Sequence, residues 1–128
     1  MKKYLFVFAA VIFSSIAVAA PVVCKTLVDD AKYALKEINA NQCWQTIIPL
    51  GDDIEFDLEN GSDTRQIWKI EKYDSSICRI KMENDYDGIS PFRKNYAEIE
   101  IEARRKGKCD VVFVHPSGKR FTVKLEVR

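Results

Sequence analysis

From Thr46 onward the hydrophobic period of this chain is two. Ile54, Phe56 and Leu58 alternate with Glu55 and Asp57; Ile99, Ile101 and Ala103 alternate with Glu98, Glu100 and Glu102; Phe121, Val123, Leu125 and Val127 alternate with Thr122, Lys124 and Glu126. Successive side chains on a strand point to opposite faces, so each run predicts a strand with one buried and one solvated face. Two further strands are expected over 66–73 and 76–82. The unbroken apolar run Val111-Val112-Phe113-Val114 suits a strand covered on both faces. Between them stand the turn signals Asn60-Gly61-Ser62, Asp74-Ser75, Asp87-Gly88, Lys106-Gly107-Lys108 and Pro116-Ser117-Gly118. Short strands joined by short links pair antiparallel, and a mostly β chain of this kind predicts a β-sandwich over 46–128.

Ahead of that region the pattern changes. Leu27, Ala31, Ala34, Leu35 and Ile38 recur at helical spacing, Thr26 stands where a cap is wanted, and Asp29 and Asp30 fall in a first turn whose dipole favours negative charge. An N-terminal α-helix from Thr26 to about Asn39, within a segment 20–45, is therefore expected, packed against the sandwich.

Residues 1–19 have the three parts of a secretory signal peptide: Lys2 and Lys3, an apolar run from Leu5 to Ile12, and small residues at Ala17 and Ala19. The apolar run is shorter than the ~20 residues of a membrane span. Cleavage after Ala19 removes two lysines and no acid, leaving 18 basic against 19 acidic residues. A nearly neutral mature chain lacks the basic excess of a nucleic-acid-binding protein. The expected location is the periplasm or the extracellular medium.

All four cysteines, Cys24, Cys43, Cys78 and Cys109, follow the leader. An even count in an exported domain predicts two disulfides. Of the three possible pairings, Cys24–Cys43 with Cys78–Cys109 is the expectation, and it requires the chain to double back after the helix. Wide spacing, no CxxC pair and a single histidine argue against zinc.

The sequence offers little for catalysis. His115 is the only histidine, and the acids alternate along strands as a solvated face does. Glu83-Asn84-Asp85-Tyr86-Asp87-Gly88 follows the first half of a calcium loop, but Lys94 stands where the bidentate glutamate belongs, so the segment reads as an acidic turn. Neither an enzyme nor a metal or other cofactor is expected. Function falls to inter-strand loops binding a protein partner.

The stretch from Leu50 to Leu58 resembles the opening of chagasin-type inhibitors of cysteine peptidases. In that family a glycine turn leads into a strand and then into an Asn-Pro-Thr-Thr-Gly loop, with a tryptophan three residues beyond. Here the loop is Gly61-Ser62-Asp63-Thr64-Arg65 and Trp68 keeps the distance. Residues 96–103, Gly107, 111–114 and 120–125 are similar to the family's later strands. Thr64 is kept from the loop motif, and His115-Pro116-Ser117 stands where the family has Arg-Pro-Trp. The resemblance implies an immunoglobulin-like antiparallel β-sandwich, monomeric, that blocks the cleft of a papain-like peptidase with three loops. It places contacts at Gly61, Ser62, Asp63, Thr64, Arg65, Gly88, Arg93, His115, Pro116 and Ser117. A non-inhibitory envelope or immunity-type module, directed at a lysozyme or toxin, is the alternative on the same scaffold. When the full chain is expressed in a secreting host, the exported protein should begin at Ala20; intact mass and N-terminal sequencing check this, and retention of residues 1–19 would contradict it.

Overall fold

A computed structural model describes residues 23–33, 41–61, 66–85 and 95–128. Among them are β1 (Lys25–Thr26), β2 (Ala31–Tyr33), β3 (Asn41–Ile48), β4 (Asp53–Gly61), β5 (Lys69–Lys72), β6 (Cys78–Asp85), β7 (Asn95–Ala103), β8 (Gly107–Val114) and β9 (Arg120–Val127). They form two sheets. The five-stranded sheet runs β1-β3-β9-β8-β5 and the four-stranded sheet β2-β4-β7-β6. The alternating runs read from the sequence are β4, β7 and β9. β4 pairs antiparallel with β7, and β9 with β8, in registers that set Phe56 opposite Ile99 and Phe121 opposite Phe113. The expected strand over 66–73 is shorter, starting at Lys69, and the one over 76–82 extends to Asp85.

Burial follows the alternation. Ile54, Phe56, Leu58, Ile99, Ile101, Phe121, Val123, Leu125 and Val127 are all 3% exposed or less. The two sheets meet through aromatic rings: Phe56 of β4 lies 6.0 Å from Phe113 edge-on and 5.7 Å from Phe121, and within the five-stranded sheet Trp44 of β3 stacks on Phe121 at 5.7 Å. Such pairs contribute roughly 0.5–1.5 kcal/mol beyond the area they bury. In β8 Val111, Val112 and Phe113 are buried in succession, as a strand covered on both faces requires.

The structure overturns the helix expected from Thr26 over every residue described there. Thr26 closes β1 and Ala31 opens β2, with a turn at Asp29-Asp30 between them; residues 34–39 of the expected helix lie outside the described part. Tertiary hydrogen bonds win over the helical spacing. Leu27 N donates to Gln45 O at 2.8 Å and Asp30 N to Glu55 O at 2.8 Å, so the segment crosses from the five-stranded sheet to the four-stranded one. Asp29, placed by sequence in a helical first turn, instead accepts from Glu55 N at 2.8 Å and Asp30 N at 3.1 Å, which holds Asp30 at φ 58°. The doubling back occurs without a helix, and the Cys24–Cys43 disulfide joins Cα atoms 4.7 Å apart. Both added strands run parallel to their neighbours, β1 to β3 and β2 to β4, and β3 runs parallel to β9, so the sheets are mixed rather than wholly antiparallel. The second expected disulfide is not formed: Cys78 and Cys109 stand as free thiols. No helix among the described residues is long and apolar enough to cross a membrane.

Phe121 touches three rings and is fully buried. Phe121→Ala should cost about 3–5 kcal/mol, read as a lower urea midpoint at unchanged slope; a loss below about 1 kcal/mol would mean the core collapses around the gap.

Candidate functional site

The strand ends bring the predicted loops to one end of the sandwich. β4 finishes at Gly61, opposite Asn95 at the start of β7, and β6 finishes at Asp85, opposite Tyr96. β8 finishes at Val114, opposite both Arg120 at the start of β9 and Lys69 at the start of β5. The links after β4, β6 and β8 therefore leave from this end. Ser62, Asp63, Thr64, Arg65, Gly88 and Arg93 lie outside the described residues. Gly61 is the last residue of β4, next to a register shift after Glu59.

The third link is a tight turn. His115 N donates to Lys119 O at 2.9 Å and Gly118 N to His115 O at 2.8 Å. Pro116 supplies the fixed φ that a turn's second position favours, and Gly118 takes φ 94°, a conformation that suits glycine. Pro116 and Ser117 are exposed at the tip.

His115 points the other way. Expected as a contact residue, it is 4% exposed, and its ring lies 5.2 Å from that of Trp68. Its Nε2 faces the carbonyls of Asn60 at 3.1 Å and Gln66 at 3.2 Å, so that nitrogen carries the hydrogen and donates. Nδ1 accepts from Ser117 N at 3.1 Å and lies 2.7 Å from Ser117 Oγ. One imidazole thus ties the turn after β8 to the residues on either side of the 61–65 link. Nε2 is committed to two backbone carbonyls and Nδ1 to Ser117 of the same turn, so the imidazole serves to hold the turn.

Asn60 completes the tie. It is fully buried, its Oδ1 accepts from Trp68 N at 2.9 Å, and its Nδ2 donates to Asn84 Oδ1 at 3.0 Å. Trp68 Nε1 donates to Glu59 O at 2.9 Å, and its ring is 1% exposed, so the tryptophan is a core residue. Read as part of a turn, Asn60 in fact continues the inward phase of Ile54, Phe56 and Leu58. That phase was the available signal, since an inward amide must find partners.

The outer face of the four-stranded sheet carries the alternating acids. Asp53 lies opposite Glu102, Glu55 opposite Glu100 and Asp57 opposite Glu98, with Lys81 Nζ 3.1 Å from Glu102 and 3.7 Å from Glu100. Asp53, Glu55 and Glu100 each offer an oxygen within 4.8 Å of one another, a grouping that could take a cation. A hydrogen bond to Asp53, with some desolvation, raises the Glu100 carboxyl above its ordinary range.

No protein-family model and no curated protein matches this sequence. Its fold does have solved counterparts. Amebosin is similar with a TM-score of 0.57 at 18% identity, over 77% of this chain and 98% of its own. PbICP-C, solved in complex with falcipain-2, is similar with a TM-score of 0.61 at 12% identity, over 76% of this chain and 98% of its own. The cysteine protease inhibitor EhICP2 from Entamoeba histolytica is similar with a TM-score of 0.53 at 14% identity, over 77% of this chain and 96% of its own. The scaffold resemblance read from Leu50 onward therefore holds at the level of the fold.

Asn60→Ala removes the acceptor of the buried Trp68 amide. It should cost about 1–3 kcal/mol and speed hydrogen exchange at Trp68 N well above that of β7 amides. Unchanged exchange at Trp68 would show that the amide bond does not hold the link.

Proposed function

We propose that this chain, once exported and freed of its leader, inhibits papain-like cysteine peptidases by filling the active-site cleft with the links after β4, β6 and β8. The observation that carries this reading is the shared fold: one counterpart is a cysteine protease inhibitor and another was solved bound to falcipain-2. The geometry supports it. Occlusion needs no catalytic group, only a surface whose ordering entropy is already lost before binding. The His115 and Asn60 hydrogen bonds supply that order at the stems. Pro116 and Ser117 present an exposed tip, and Thr64 is the residue kept from the family's first loop motif. His115 acts from within, as an anchor rather than a contact.

Protease–inhibitor contacts of standard size bury about 1,600 Å² and are among the tightest known. Residual activity of papain or a cathepsin-like peptidase, titrated with the purified oxidised protein, should give a nanomolar inhibition constant. Thr64→Ala should weaken it roughly tenfold, about 1.4 kcal/mol, with no change in melting temperature; Pro116→Ala should weaken it as well and, by freeing the turn's φ, lower the melting temperature slightly. Inhibition that survives both substitutions would move the contact surface elsewhere. No inhibition at micromolar concentration would end the inhibitor reading in favour of a different protein partner on the same end.

A further inference from the structure

Cys78 opens β6 in the four-stranded sheet, and Cys109 lies in β8 of the five-stranded sheet, at the end of the sandwich away from the 115–119 turn. Their side chains meet between the sheets. Cys78 belongs to the core and Cys109 packs against it, near enough that each shifts the other's acidity, and the Cys78 thiol lies 3.9 Å from the carbonyl of Asp74. The surrounding chain is fixed from both sides. Ile77 N and Cys78 N donate to Asp74 O at 3.0 and 3.2 Å, and Ser76 N caps Asp74 Oδ1 at 2.9 Å. Ile77 O accepts from Arg104 N at 2.8 Å and Arg105 N at 3.1 Å. Gly107 lets the Ile77 side chain approach so closely that a Cβ there would lie 2.7 Å from its Cδ1.

The two sulfurs differ in access. Cys78 is fully buried. Cys109 is half-buried and lines an open cleft of about 570 Å³ beside Lys72, Tyr73, Asp74 and Lys108. Their acidities differ in the same sense. Burial first, then the neighbouring Cys109, pushes the Cys78 thiol up to about 12. Burial raises Cys109 too, but hydrogen bonds from the Asp74 backbone and from Cys78 favour its thiolate.

We propose that Cys78 and Cys109 form a dithiol–disulfide couple with divided roles, Cys109 attacking an external disulfide and Cys78 resolving the product. The Cys109 thiolate attacks one sulfur of a small-molecule or protein disulfide; an S–S bond forms to Cys109, the external S–S bond breaks, and one external thiolate leaves. Cys78 gives up its proton to solvent and attacks the Cys109 sulfur, which releases the second external thiolate. The protein loses two electrons and two protons, and the external disulfide is reduced to two thiols. The bond so formed joins the two sheets at the end opposite the candidate site. This couple is independent of the inhibitor reading.

Glutathione disulfide is the probe, applied to the folded mature protein with Cys24–Cys43 intact. In the wild type, intact mass after alkylation should fall from two free thiols to none, and peptide mapping should recover a Cys78–Cys109 cross-link. Cys78→Ala should instead accumulate one glutathione on Cys109, while Cys109→Ala should take none until unfolded in urea. Quenching the wild type with acid at early times gives the same reading without any variant: the transient glutathione should map to Cys109. Two thiols still alkylatable after long exposure, or glutathione appearing first on Cys78, would overturn the proposal.

Discussion

The edge of one imidazole decides how the candidate end of this sandwich is held. The carbonyls of Asn60 and Gln66, on either side of the 61–65 link, converge on His115 Nε2, and the turn that carries His115 closes on its Nδ1. A buried nitrogen that donates to two carbonyls cannot be exchanged for an apolar group of the same size without leaving those carbonyls unpaired. Asn60 stands in the same position, with one end of its amide on Trp68 N and the other on Asn84. These bonds join β4, β6, the start of β5 and the β8–β9 turn. The apolar core alone leaves strand ends free to fray; the polar tie sets where the links begin.

That core was the most legible part. Residues 54, 56 and 58, 99, 101 and 103, and 121, 123, 125 and 127 carry a period of two because one face of each strand is buried and the other is wet, and β4, β7 and β9 follow. Local pattern sufficed there because burial on one face repeats through the whole strand. It failed at residues 26–33 for the same reason. β1 and β2 have two and three residues, too few to display a period, and the spacing of Leu27 and Ala31 fits a helix equally well. Their positions come from backbone bonds to Gln45 and Glu55, residues far away in the chain, which no window on the local sequence contains.

The candidate site divides in the same way. The family resemblance placed three links at one end, and the strand ends put their stems there. The sequence did not reveal which way His115 faces, because a histidine beside Pro116 at a strand end is ordinary in a loop. Its orientation depends on carbonyls at positions 60 and 66. Cysteine pairing was legible only in part. Cys24 and Cys43 are brought together by β1 pairing with β3, whereas Cys78 and Cys109 are neighbours only across the sandwich, and their state depends on an oxidant as well as on the fold.

A fold shared with solved structures at 12–18% identity places few demands on individual residues, so on the reading proposed above the partner is chosen by what the links add. In this chain Asp63 and Arg65 bring charge to a link whose family motif is neutral. A charge taken into an interface costs more than it returns unless the partner answers it, and opposed charges across an interface govern partner choice more than total affinity. On the proposed reading the first link is therefore the least interchangeable in sequence: a cleft that accepts the neutral motif and offers no counter-charge would reject this one. The anchoring network at the stems is made of Asn60, Asn84, Trp68 and a histidine hydrogen-bonded to carbonyls, and none of its bonds involves residues 63 or 65. Buried hydrogen bonds hold the stems on either side of 61–65 without calling on the side chains at positions 63 and 65, so on that reading the charges there can change without loosening the end of the sandwich.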